Sequence, residues 1–168
     1  WIAGLPGFPF AVAAVDAGGD GRALSFAACA DGCIQAFSPA GTLLWSHRPN
    51  NAAKFALTIL RPSPDDAPIL IAGGLDRMLR ALDPATGRLL STLEFDYALN
   101  HLETGRLVRN APASILVLNV RNARYFVADW KDRELVFTEE RRFHDDEDVF
   151  HSQSMTFRAH SLATADFN

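Results

Sequence analysis

Several things are scarce in this 168-residue chain, and each scarcity excludes a class of protein. There are only two cysteines, too few for a disulfide framework, and Cys29 and Cys33 have no second pair nearby to complete a zinc site. No basic stripe is present, and a net charge of -4 would repel a phosphate backbone, so nucleic acid is excluded as a direct partner. No apolar run approaches bilayer length, which leaves no membrane span, and the first residues lack the basic start and small-residue cleavage site of a signal peptide. Long stretches with a 3.6-residue period are missing too, so helices do not build this fold. No sequence motif carries chemistry with high specificity.

What is present is repetition. An apolar run, an Asp-Gly or Asp-Arg turn, a short apolar strand, a Pro-containing turn with Gly and a Leu-Leu pair occur at 31–45 and again at 76–91, more loosely at 122–137. The turn residues Asp31, Asp76 and Asn122 are 45 and then 46 positions apart, the length of one four-stranded propeller blade. Expected strands in the first unit are 10–15, 23–28, 33–37 and 42–47, and in the second 55–60, 68–73, 78–82 and 88–95. The third has clear strands at 114–120, 124–128 and 134–138 after a more polar first strand. Apolar runs of about five residues, broken by Gly, Pro and Asp, support this assignment.

The sequence therefore predicts an all-β partial β-propeller. Its blades span 10–49, 55–95 and 99–139, an inter-blade insertion covers about 139–154, and a further blade begins at 155–168, where Leu162 to Asp166 parallels Val12 to Asp16. A closed propeller needs at least four blades, and the chain opens on Trp1, so it is expected to be a piece of a larger propeller whose remaining blades would be its partners. The insertion, with Arg141, Arg142, His144, Asp145, Asp146, Glu147, Asp148 and His151, is too polar for a core strand. Cys29 and Cys33 face each other across the first hairpin; two half-buried thiols are the expectation, and a cross-strand disulfide is the alternative.

The strings DGCIQAFSPAGTLLW and DRMLRALDPATGRLL resemble the repeat of pyrroloquinoline-quinone-type propellers. DAGGDG, from Asp16 to Gly21, resembles the D-x-D-G-D-G loop of FG-GAP and integrin-type repeats. The resemblance implies a propeller fold; such repeats occur in dehydrogenases, polysaccharide lyases, adhesion proteins and scaffolds, so it does not choose among functions. It also implies calcium as a cofactor, held by Asp16 and Asp20, although Gly18 stands where a further oxygen ligand belongs. A plain Gly-rich turn is the expectation for this loop.

Counting by the 45 and 46 offsets makes Phe10, Phe55 and His101 equivalent, with His160 at the same position of the next unit. This predicts His101 and His160 on adjacent innermost strands, under the insertion that carries His144 and His151. Imidazoles titrate near neutral pH, so His101 and His160, with Tyr97 or Arg106, form the candidate catalytic set for proton abstraction from a carboxylate-bearing sugar. His144, Asp146, His151 and His160 are also ligand types for a divalent ion. Trp130, in the 129–132 turn, is a candidate for stacking on a sugar ring, whereas Trp45 is expected to pack between blades.

The functional expectation is a binding or scaffold propeller for a glycan or protein partner. A secreted polysaccharide lyase with a histidine site is the alternative, and a quinone-dependent dehydrogenase the third. A secreted or periplasmic location is expected.

Overall fold

The computed structural model describes residues 4–49, 55–107, 111–119 and 124–142. Trp1, His144, His151, His160, most of the expected insertion and all of the expected fourth unit lie outside the described residues. Within them the chain is all-β, with twelve strands in three antiparallel sheets. Blade 1 comprises β1 (Pro9–Val15), β2 (Leu24–Cys29), β3 (Ile34–Phe37) and β4 (Leu43–His47). Blade 2 has β5 (Phe55–Leu60), β6 (Ile69–Gly74), β7 (Met78–Leu82) and β8 (Leu89–Glu94). Blade 3 has β9 (His101–Gly105), β10 (Ser114–Asn119), β11 (Arg124–Lys131) and β12 (Glu134–Arg142). Each sheet runs in sequence order from an innermost to an outermost strand. β12 continues through 139–142, which the sequence assigns to the insertion, because Val127, Phe126, Tyr125 and Arg124 supply backbone partners to its end. No helix of the described residues is long and apolar enough to cross a membrane.

The blades stack face to face. β1 lies against β5, and β5 against β9. Side chains alternate along a strand, so each blade has two faces, and blade 2 buries both, one against blade 1 and one against blade 3. Blade 1 turns Ala13, Val15, Phe26, Ala28, Ile34 and Ala36 to Leu57, Ile59, Leu70, Ala72 and Leu82 of blade 2. Blade 2 in turn presents Leu60, Ile69, Ile71, Leu79 and Ala81 to Leu102, Ile115, Val117, Phe126 and Ala128 of blade 3. Trp45 packs on the first of these layers, and its indole Nε1 donates to the Pro84 carbonyl of blade 2 at 2.9 Å. Cys29 and Cys33 are free, buried thiols.

Register corrects one expectation. Ala28, Gly73 and Leu118 are spaced by 45, and their innermost-strand partners are Ala11, Ala56 and His101. His101 is therefore the counterpart of Ala11 and Ala56, and Asn100 that of Phe10 and Phe55. The extra residue that makes the second turn spacing 46 sits between β10 and β11, where four residues separate the Asn119–Arg124 pair, against three between Gly74 and Met78. It follows the first two strands of blade 3 and shifts only what comes after. A one-residue slip reverses the face to which a side chain points.

Candidate functional site

In an antiparallel meander, alternate turns lie at opposite ends of the sheet. The β1–β2, β5–β6 and β9–β10 loops share one end of the propeller with the β3–β4, β7–β8 and β11–β12 turns. At this end lies an open cleft of about 920 Å³ between blades 2 and 3. Its walls come from the 62–68 loop, the 83–90 turn, Pro112 and the Trp130, Asp132 and Arg133 corner.

Local chemistry fixes each wall. The Asp83 carboxylate accepts from the amides of Ala85 at 2.9 Å and Thr86 at 3.1 Å, Gly87 N–H donates to the Asp83 carbonyl at 2.8 Å, and Gly87 takes φ 72°. Asp132 and Arg133 have φ 50° and 67°, two successive left-handed residues of the kind a tight two-residue hairpin requires. That turn holds Arg133 at the rim. The Ala113 amide donates to the Pro62 carbonyl at 3.0 Å and ties the two blades together beneath the cleft.

Trp130 is the last residue but one of β11, in strand rather than in the turn expected for it. It is half-buried, with its ring on the core layer between blades 2 and 3 while also lining the cleft. Packing and exposure to a ligand therefore coexist in one side chain. Around it stand two cations, Arg88 and Arg133, and three carboxylates, Asp66, Asp83 and Asp132. A flat indole bordered by charged hydrogen-bonding groups can stack on one face of a sugar and hold its substituents. Arg88 and Arg133 went unnoticed in the sequence because they sit in turns of different blades; the alternation of turns around a meander is the signal that gathers them.

The other proposed residues are dispersed. Tyr97 precedes β9 at the opposite end of the propeller and stacks on Phe126, with ring centroids 6.4 Å apart and planes at 23°. His101 is half-buried at the same end, its Nε2 3.8 Å from Glu103 Oε1. Arg106 follows the far end of β9, five residues on, or about 16 Å at the strand rise. His101 and Arg106 thus do not share a site.

The Asp16 loop is at the cleft end, and Ala17 contributes to the cleft wall. Asp16 Oδ1 accepts from Gly18 N at 3.2 Å and Gly19 N at 2.7 Å, while Oδ2 accepts from Gly21 N at 2.7 Å. Asp20 Oδ1 accepts from Arg22 N at 3.0 Å. The Gly21 hydrogen bond, outweighing burial and assisted by those of Gly19 and Gly18, holds the Asp16 carboxyl below its ordinary range. Amide donors fill the positions a cation would need, so this donor set does not fit calcium. Among the described residues no group of three or more His, Cys, Asp or Glu side chains is placed to hold a metal. Burial pushes the Cys29 thiol up, away from reactivity.

A family model described as "Lambda-carrageenase beta-propeller domain" matches residues 6–104. The chain belongs to this family. No curated protein matches this carrageenase-type propeller. Among solved structures it resembles the computationally designed Ika4 protein at 17% identity and a TM-score of 0.64, covering 86% of this chain and 78% of that one. It also resembles BBS1N, solved in complex with ARL6DN, at 13% identity and 0.63, covering 80% of this chain and 40% of the other. A chain of the mitotic checkpoint complex matches at 16% and 0.58, with 74% and 36% covered. Likeness at these identities establishes the propeller fold, and the chain spans well under half the length of the latter two.

Proposed function

We propose that this propeller is a glycan-binding module for a sulfated galactan, with the cleft between blades 2 and 3 as its binding surface. One observation carries the proposal: Trp130 lies in the same cleft as Arg88 and Arg133. An indole supplies the platform for a pyranose face. Guanidinium groups supply charge-assisted hydrogen bonds to sulfate oxygens, in the geometry that favours Arg over Lys. The family takes its name from an enzyme of λ-carrageenan, a galactan of this kind, which supports the choice of ligand. Such a polymer lies outside the cytoplasm, in keeping with the expected secreted or periplasmic location. A lyase centred on His101 has less support, because Arg106 is at the far end of β9 and the Tyr97 ring is engaged with Phe126.

Isothermal titration with λ-carrageenan oligosaccharides, and with the same oligosaccharides after desulfation, tests the proposal. Binding is expected to the sulfated form, with about a tenfold loss in Arg133→Ala, equivalent to one charge-assisted hydrogen bond. Arg88→Ala should behave similarly, since both residues lie in turns and their removal leaves the core intact. Trp130→Phe should weaken binding while preserving the packed layer. Equal affinity for the desulfated oligosaccharide, or no effect of either Arg substitution, would overturn the assignment.

A further inference from the structure

The charges in the cleft between blades 2 and 3 do not suit a polyanion alone. Arg88 and Arg133 are outnumbered there by Asp66, Asp83 and Asp132, and like charges set against each other across a binding surface oppose association. Nor do these groups neutralise one another. Ion pairs form elsewhere, as between Arg77 and Glu94 or Lys131 and Asp129, yet among the described residues none joins Arg88 or Arg133 to a carboxylate of the cleft. Asp83 is committed to its own turn through the Ala85 and Thr86 amides, which leaves Asp66 and Asp132. Resting on the galactan reading of this cleft, we infer that Asp66 and Asp132 are specificity-determining residues: their carboxylates accept from unsubstituted hydroxyls of the polymer and turn away chains sulfated at those positions.

The preceding joint of the propeller shows that the fold does not need these charges. Val15 pairs with Leu24 and Leu60 with Ile69, so the loops 16–23 and 61–68 match residue for residue, and Asp66 corresponds to Gly21. Ser38 N–H donates to the Thr42 carbonyl as Asp83 N–H does to that of Arg88, which makes Thr42 the counterpart of Arg88 and Ser38 that of Asp83. By register Trp130 corresponds to Pro84. Every one of these positions is uncharged at the joint between blades 1 and 2, where the blades pack with the same strand order. The aromatic and charged set is therefore an addition to the repeat at one joint.

Acceptor accounting assigns the carboxylates their role. The carbonyls of Pro62, Ser63, Asp83, Pro84 and Arg88 already accept from Ala113 N, Asp66 N, Gly87 N, Trp45 Nε1 and Asp83 N. Guanidinium groups only donate and ionised carboxylates only accept. Sulfate oxygens are thus drawn to Arg88 and Arg133, and hydroxyl protons to Asp66 and Asp132. The walls cannot adapt freely to a different pattern, because Pro62, Pro68, Pro84 and Pro112 line the cleft and each fixes its own φ. Asp132 adjoins Arg133 in the tight hairpin, so the substituent beside a sulfate held on Arg133 meets a carboxylate. A hydroxyl there is accepted, and a second sulfate is repelled.

The test compares, by isothermal titration, λ-carrageenan oligosaccharides with the same oligosaccharides after chemical sulfation of their remaining hydroxyls. The wild type is expected to bind the oversulfated form at least about tenfold more weakly, despite its greater charge. Asp66→Asn and Asp132→Asn remove the charge at nearly constant size, and Asn tolerates the left-handed conformation of position 132, where φ is 50°. Each should bring the two affinities closer together. Arg133→Ala should instead weaken both and leave their ratio near that of the wild type. Equal or tighter binding of the oversulfated form by the wild type, or an unchanged ratio in either Asn variant, would overturn the role of the carboxylates while the galactan reading stands. A wild type that does not prefer sulfated to desulfated oligosaccharide would remove the galactan reading, and this role with it.

Discussion

The Pro84 to Gly87 turn shows how one residue joins blade stacking to the cleft. Trp45 reaches from blade 1 to the Pro84 carbonyl, and its ring lies so close to Gly87 that an added Cβ would meet it at 2.6 Å. Gly87 also needs φ 72°. Gly19 has nearly the same φ, 69°, with nothing within 4 Å of its added Cβ. The two positions therefore separate backbone cost from collision. Gly19→Ala should cost about 1 kcal/mol for the left-handed conformation alone. Gly87→Ala should cost about 3 kcal/mol, because overpacking against a rigid indole is added. Urea denaturation followed by tryptophan fluorescence reads both values, and equal costs would show that the turn moves aside freely.

At the scale of the strand, equivalent positions in different blades solve the same contact with different chemistry. β4 ends with His47 where β8 has Leu93. Burial, with a smaller effect from Arg80, lowers the His47 pKa below 6.5, so the folded chain favours the neutral ring. Above pH 6.5 both states are neutral and the group contributes nothing to the pH dependence. Below it the unfolded chain takes up the proton first, and stability falls until the folded pKa is passed. His47→Leu, which copies blade 2, should flatten this acid-side slope: the loss in urea midpoint between pH 7.5 and 5.5 is expected to be smaller than in the wild type. An unchanged slope would place the acid sensitivity elsewhere.

The same comparison of strands shows what was legible beforehand. Short runs such as Ile69 to Ala72, bounded by Pro68 and Gly73, declare themselves by β-branched composition and turn residues. Trp45 between blades was legible for the same reason, since an outer strand needs a neighbouring sheet. The register of β9 was not, because turn spacing records an insertion without saying which strands precede it. The cleft was hidden for a different reason: its wall residues are distant in sequence, and Asp83, Gly87 and Asp132 had already been explained by turn chemistry.

For the whole molecule, stability should be graded from blade to blade. A blade contacts only its neighbours, so the free energy of opening depends on how many of its faces are covered, as in other repeat architectures. Blade 2 is covered on both sides, and all six residues of β6 are buried. Its joints are polar as well as apolar: Arg61 donates to the Asp16 carbonyl at 3.1 Å toward blade 1, and Ser91 Oγ accepts from the Leu135 amide at 3.0 Å toward blade 3. Blade 1 has one open face, with Val12 and Phe10 exposed on β1. In hydrogen exchange at concentrations low enough for single chains, the amides of β6 should therefore exchange at least about tenfold more slowly than the paired amides of β1, a difference of about 1.4 kcal/mol. Equal protection in β1 and β6 of the single chain would mean that the three blades open as one unit, and that neighbour contacts do not set their local stability.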